Sequence, residues 1–325
     1  MNQHPLVTVF IPCYNQGHVI AKAITSVLNQ DYYNLDVIIG DDASTDNTKE
    51  VVIPFLIDKR VRYERSSSNL GRVANYRRGI QELARGEWYI NLDGDDYYDN
   101  KGYISAAISL ATEKEECILV FGRQKYLDAS TGKISIHSPP NVDRWTSGIQ
   151  FLRHYVLLNE GIPHMSALYR VKIARKCNLF MNNIVFADAE AILRLLPWGM
   201  IGYCNAFSGV WVYHGNNDSH NLSIDLRLKN LTMITSTADF FVESNVFSQE
   251  EAHKWRDPWL KRLIRDGIHF YLDNLCYKMA FQFWKNAGHE LNLYQRFDIW
   301  FHWRVIIRIF FPYFSKFKQF IKGLL

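Results

Sequence analysis

Asp93-Gly94-Asp95-Asp96 puts three carboxylates into four residues, at the end of the apolar run Trp88-Tyr89-Ile90-Asn91-Leu92. Aromatic and branched side chains dominate that run, so it reads as a buried strand. The acids therefore sit where the chain leaves the core. Carboxylates this close repel one another and raise each other's pKa. A cation removes that penalty. Mg²⁺ and Mn²⁺ are hard ions, often held by one or two carboxylates plus substrate phosphates. Solvated turns also use Asp and Gly for backbone reasons, so the weight of this cluster depends on what accompanies it.

Polar groups follow other apolar runs in the same way. Cys13-Tyr14-Asn15 follows the run 6–11, and Asp41-Asp42 follows 35–39. Ser44 and Asp46 suit a helix cap, but two adjacent acids exceed what a cap needs. Asp188 and Glu190 open a helical pattern stopped by Pro197, and His214 begins the polar loop after 210–213. The elements that must position these residues alternate. Strands are expected at 6–11, 35–39, 61–63 and 88–92, with helices at 17–29, 46–57 and 71–84. Over 17–29, Val19, Ile20, Ala23, Ile24, Val27 and Leu28 share one helical face. This rhythm predicts an α/β fold with a mostly parallel sheet covered by helices. Ligands of such sheets bind at the carboxyl ends of strands, so the polar groups should meet along one edge. Further along, 117–121 reads as a strand, 127–144 as hairpin and loop, and 226–242 and 259–293 as long helices.

The chain has 325 residues, 48% hydrophobic and 22% charged, enough for a sizeable core. A formal net charge of +4 does not argue for nucleic acid as a partner. The five cysteines are dispersed without metal-site spacing, which reads as reduced core thiols in a cytoplasmic setting. The opening Met1-Asn2-Gln3-His4-Pro5 is polar and lacks a signal-peptide pattern. No G-x-G-x-x-G follows the first strand, which disfavours a dehydrogenase.

In order along the chain, Ile11-Pro12-Cys13-Tyr14-Asn15, Asp41-Asp42-Ala43-Ser44-Thr45-Asp46, Asp93-Gly94-Asp95-Asp96 and Ala187-Asp188-Ala189-Glu190 closely resemble the motifs of the family 2 glycosyltransferases. The resemblance covers about residues 6–220 and implies a GT-A fold. It implies an inverting, metal-dependent transfer from a nucleotide-sugar, a UDP-sugar by preference, to a glycan or lipid-linked acceptor. On that basis Pro12, Tyr14 and Asn15 belong to the nucleotide site, and Asp42 accepts a hydrogen bond from uracil. Asp93 lies near ribose and metal, and Asp95 ligates Mn²⁺ or Mg²⁺, with Asp96 supporting it. Asp188 matches the general base, with Glu190 as its competitor. His214 and the loop to Ser219 resemble a late motif near the diphosphate, which makes His214 a further candidate metal ligand. The chain departs from that motif with Val212, where many members carry an arginine; Arg72 or Arg77 would then supply the cation. A nucleotidyltransferase would show a glycine- and lysine-rich loop where Pro12-Cys13-Tyr14-Asn15 stands. A catalytically inactive scaffold on the same fold is the other alternative.

Two domains are expected. Residues 1–220 form the transferase domain, with a nucleotide-binding half at 1–105 and an acceptor half at 106–220. Residues 221–325 form a helical extension. Its tail, 296–325, interleaves Trp, Phe and Ile with Arg304, Arg308, Lys316, Lys318 and Lys322. That pattern suits an interfacial helix on an anionic membrane; the alternative is a helix folded back on the catalytic domain or used for dimerisation.

Overall fold

The computed structural model describes residues 4–136, 143–155, 161–215, 217, 222–288 and 299. The chain divides into two compact units between His220 and Asn221. The tail expected to meet a membrane lies, apart from Ile299, outside the described residues. Among the described residues no helix is long and apolar enough to cross a membrane.

In chain order the strands are β1 (Val7–Cys13), β2 (Leu35–Asp41), β3 (Val61–Arg65), β4 (Trp88–Asn91), β5 (Tyr97–Tyr98), β6 (Cys117–Asp128), β7 (Ile134–Ile136), β8 (Trp145–Ser147), β9 (Leu168–Arg170) and β10 (Met200–Tyr213). They form one sheet in the order β3-β2-β1-β4-β9-β6-β10-β5, with β7 beside β6 and β8 beside β10. Strands β1, β2, β3 and β4 pair in parallel. Strand β9 is antiparallel to both β4 and β6. That double reversal leaves β6, and β10 parallel to it, running the same way as the first four. The carboxyl ends of β1, β2, β4, β6 and β10 therefore share one edge.

Local sequence explains the first half well. β1 is buried along its whole length, because helices cover both faces of a parallel sheet. One face of β1, with Val7, Val9 and Ile11, packs with Ile20, Ala23, Ile24 and Val27 of the helix Ile20–Leu28. On the other face Phe10 stacks on Tyr89 at 6.2 Å. Its ring fills the space that a Cβ on Gly40 or Gly79 would need, 2.2 Å and 2.7 Å away. The helix expected over 46–57 is an α-helical turn, Thr48–Val52, that tightens into a 3₁₀ turn, Ile53–Ile57. Pro54 lacks the N–H needed to continue the α ladder.

The second half departs further from local pattern. β6 runs well past 121, and β10 begins ten residues before 210. β10 carries register shifts around Phe207, which mask its periodicity. In the second unit, 226–242 is broken into Ile224–Asn230 and Thr232–Glu243. The next helix starts earlier than 259, at Gln249–Asp273, behind a capping box of Ser248 and Glu251. It stops before Leu275, whose φ of 58° is left-handed, and Tyr277–Ala287 follows.

Phe10 packs between β2 at Gly40 and the helical segment at Gly79. Phe10→Ala should lower stability by about 3–5 kcal/mol, read as a lower urea midpoint of the first unit by circular dichroism.

Candidate active site

The strand ends enclose a cavity of about 810 Å³, within the range of small-molecule and cofactor pockets. Pro12 and Tyr14 line it from the end of β1, Asp42 from β2, and Asp93, Asp95 and Asp96 from β4. Gln124 and Tyr126 come from β6, Trp211 and His214 from the end of β10, and Asp188 from the helix Ala187–Leu195. Tyr14 stands at the rim, 46% exposed.

The loops after β1 and β2 are interlocked. Asn15 has a left-handed φ of 54°, which Asn tolerates better than most residues. Its N–H donates to Ser44 Oγ at 2.9 Å, and its side-chain oxygen accepts from the Thr45 N–H at 2.7 Å. Asn15 itself is not among the residues lining the cavity, and its side chain is turned to the neighbouring loop. The two adjacent acids divide their work. Asp41 is buried and accepts from Ser44, Tyr63 and Arg65, so it shapes the loop. Asp42 reaches the cavity while accepting from the N–H groups of Leu70 and Gly71 at 2.7 and 2.8 Å.

The acidic turn is built tightly. A Cβ on Gly94 would meet Gln16 Oε1 at 2.3 Å and Ile20 Cδ1 at 2.8 Å, so glycine lets the turn approach β1. Asp93 Oδ1 accepts from Tyr76 at 2.7 Å and from Asn91 Nδ2 at 3.1 Å. Burial raises its carboxyl above the ordinary range, with Asp95 adding to the effect, while His164, Tyr76 and Arg72 oppose it. Burial, then Asp93, pushes the Tyr76 phenol far upward, so it stays protonated and donates. Asp96 Oδ1 accepts from the N–H of Val212 at 2.8 Å. Its carboxyl is pushed well above the ordinary range by burial, then by Asp95 and Asp93. The position where the chain lacks an arginine thus contributes its backbone, fastening the acidic turn to the end of β10.

Asp95 is the carboxylate of the turn that meets His214. His214 Nε2 lies 2.7 Å from Asp95 Oδ2, and Asn217 braces the histidine by accepting from its N–H at 2.9 Å. Among the described residues no three His, Cys, Asp or Glu side chains are grouped to hold a metal unaided. One carboxylate and one imidazole, with Asp93 nearby, still fit an Mn²⁺ or Mg²⁺ ion that takes its remaining ligands from a diphosphate.

Asp188 and Glu190 are separated by their surroundings. Asp188 lines the cavity in the first turn of its helix, where free N–H groups favour negative charge. Glu190 is fully buried and accepts from Asn182. Arg72 also lines the cavity, and its Nη2 donates to the Val185 carbonyl at 2.8 Å. Arg77 approaches Met181 instead. Sequence reasoning missed Tyr76 and His164. Tyr76 follows Arg72 by four residues, a spacing that puts both on one helix face. His164 lines the cavity with both ring nitrogens buried and without a hydrogen-bond partner among the described residues. Its ring lies 5.4 Å from that of Tyr76.

A largely parallel sheet that gathers acids at its carboxyl edge has the α/β arrangement in which ligands bind beyond the strand ends. Residues 8–176, about half of the chain, match the profile of Glycosyl transferase family 2. The chain belongs to that family. It is 27% identical to the hyaluronan synthase of Pasteurella multocida over 220 residues, 67% of this chain and 22% of the synthase. It is also 27% identical to the chondroitin synthase of that species over 227 residues, 70% and 22% of the two chains. An uncharacterized glycosyltransferase of Mycoplasma pneumoniae is 42% identical over 97 residues, 29% of this chain and 32% of that one. The chain thus spans between a fifth and a third of the length of these relatives. Among solved structures, S. aureus TarS in complex with UDP-GlcNAc matches with a TM-score of 0.59 at 13% identity, covering 88% of this chain and 91% of that one. The Pyrobaculum calidifontis mannosyltransferase in complex with GDP-Man and Mn²⁺ gives 0.52 at 14%, covering 90% and 77%. These likenesses establish the GT-A-like fold.

The raised carboxyls set the pH response of the metal-free protein. A carboxyl whose folded pKa lies above its unfolded value, near 3.9, contributes stability that is complete below that value. The contribution drains away as pH rises through the folded pKa. In EDTA the wild-type melting temperature should therefore fall as pH rises above about 4, and Asp96→Asn should flatten that fall. Equal slopes for the two proteins would contradict the assignment.

Proposed function

We propose that this chain is an inverting, metal-dependent glycosyltransferase that moves a sugar from a UDP-sugar to a hydroxyl of a growing glycan. The observation that carries this reading is the gathering of Asp42, Asp93, Asp95, His214 and Asp188 on one cavity at the carboxyl edge of the sheet. Fold neighbours holding UDP-GlcNAc, and GDP-Man with Mn²⁺, support the donor class. Relatives named as hyaluronan and chondroitin synthases support a glycan acceptor. A lipid-linked acceptor, with the tail 296–325 resting on the cytoplasmic face of a membrane, extends the same reading.

In the mechanism, Pro12 and Tyr14 pack against the base, and Asp42 accepts from it while its loop bonds hold the carboxylate still. Asp93 serves the ribose and metal side. Asp95 and His214 would hold the ion, which when bound would supply Lewis-acid stabilisation of the departing diphosphate. An imidazole in the set favours Mn²⁺ over Mg²⁺, which prefers oxygen ligands throughout. The Asp188 carboxylate takes the proton from the acceptor hydroxyl as that oxygen attacks the anomeric carbon. The bond from that carbon to the diphosphate oxygen breaks with its electron pair, and UDP leaves. A single displacement inverts the anomeric carbon and needs no nucleophile from the protein.

Calorimetric titration with nucleoside diphosphates should give UDP binding that needs Mn²⁺. Asp95→Asn should weaken that metal-dependent binding by at least about tenfold. Retained affinity would remove Asp95 from the metal site. Asp188→Asn should keep UDP binding and lose about 10²–10⁴-fold in turnover; near-normal turnover would move the base role to another group.

A further inference from the structure

Arg72 opens the helix Arg72–Arg78, one turn ahead of Tyr76. Its Nη2 donates to the Val185 carbonyl at 2.8 Å, across 113 residues of chain. Its Nη1 lies 3.4 Å from the Tyr76 hydroxyl, and the guanidinium stands 5.3 Å from the centre of that ring. Tyr76 in turn donates to Asp93. A continuous line of polar contacts therefore runs from Asp93 through Tyr76 and Arg72 to Val185, three residues before Asp188. Burial disfavours the charge on Arg72, but Tyr76, Asp93 and Asp188 hold its pKa above the ordinary arginine value. The guanidinium thus bridges two carboxylate-bearing elements far apart in the chain, beside the packing of Tyr76 on Phe180 at 5.4 Å. Its planar fork is suited to a carbonyl on one side and a phenol on the other.

We propose that Arg72 is a positioning residue that couples nucleotide occupancy beside Asp93 to the placement of Asp188. This rests on the nucleotide reading of the cavity given above. A nucleotide and its ion at Asp93 fix that carboxylate, and Tyr76 is held as its donor. Arg72 is then pinned between Tyr76 and Val185. The turn at Val185 and Phe186 sets the first residues of the helix Ala187–Leu195, and with them the direction of Asp188. Without the guanidinium the two ends of the cavity lose the hydrogen-bonded link from Tyr76 to Val185, and the nucleotide still binds. Coupling of this kind is reciprocal: ordering of the Asp188 segment also favours the nucleotide-bound arrangement.

The test is amide hydrogen exchange on the full chain, with and without UDP and Mn²⁺, paired with calorimetric titration of UDP. The reporter is the Glu190 N–H, which donates to the Phe186 carbonyl at 3.1 Å. In the wild type UDP with Mn²⁺ should slow exchange around 185–190 by about tenfold, a common size for coupling between sites. In Arg72→Met the slowing should vanish while UDP affinity stays within about threefold. Arg72→Lys, which keeps the charge without the fork, should restore the slowing only in part. Tyr76→Phe, which cuts the line at Asp93 and leaves Arg72 on Val185, should also uncouple the two ends. It carries the test if Arg72→Met does not fold. Slowing that persists in Arg72→Met overturns the proposal. So does a tenfold or larger loss of UDP affinity, which would place the guanidinium on the diphosphate. Wild-type protein that binds no UDP overturns the nucleotide reading itself. UDP binding without any exchange response overturns the coupling alone.

Discussion

The constraint on which the site depends is electrostatic. Asp96 is buried and Asp93 half-buried beside Asp95 in one four-residue turn, and desolvation raises both carboxyls. Charges of one sign in low dielectric are costly to hold together. The fold therefore surrounds them with donors: Tyr76 and Asn91 on Asp93, the Val212 N–H on Asp96, and His214 against Asp95. Tyr76 comes from the helix Arg72–Arg78, Asn91 from β4 itself, and Val212 and His214 from the end of β10. The turn consequently fixes where the helix Arg72–Arg78 and the end of β10 must lie. In the proposed function a cation arriving with a diphosphate would complete the neutralisation.

The same logic governs the neighbouring loops. Two acids in sequence after β2 carry different duties because the sheet sends their side chains to different places. Asp41 is committed to Ser44, Tyr63 and Arg65, and so braces the loop. Asp42 holds the start of the segment that leads into Arg72, through Leu70 and Gly71, and still faces the cavity. Ala43, between Asp42 and Ser44, takes a left-handed φ of 63°. A non-glycine residue in that region is held there by its surroundings. Here those surroundings are the bonds of Asp41 and Asn15 to Ser44 and Thr45. Rigidity of the nucleotide side thus comes from local hydrogen bonds, whereas the Asp188 side is tied in by long-range contacts such as Arg72 to Val185.

Much of the first half was legible in the chain order of its residues. Apolar runs of strand length, one helical face at Ile20, Ala23, Ile24 and Val27, and acids at run ends were enough to predict a mostly parallel sheet and its functional edge. Local signals carry that information because each such strand is buried on both faces and each helix on one. The long β6 and β10 were less visible. Their outer halves mix polar and aromatic residues facing the cavity, and the register shifts of β10 break its period. The helix ends in the second unit depended on a cap at Ser248 and a left-handed Leu275, both easily passed over beside a stronger apolar pattern.

By itself the sequence determined the kinds of residue available and the strand ends to which they are attached, because period and chain direction are local properties. Only the tertiary structure decided how the residues divide the work. Asn15 clamps a loop, Glu190 is sunk into the interior, Asp188 faces the cavity, and Asp95 finds His214 from 119 residues away. Val212, unremarkable as a side chain, supplies the amide that secures Asp96. These choices turn on which strands become neighbours and on the few degrees by which a side chain faces inward or outward. No pattern along one dimension encodes that, since the partners are brought together only when the sheet closes around its edge.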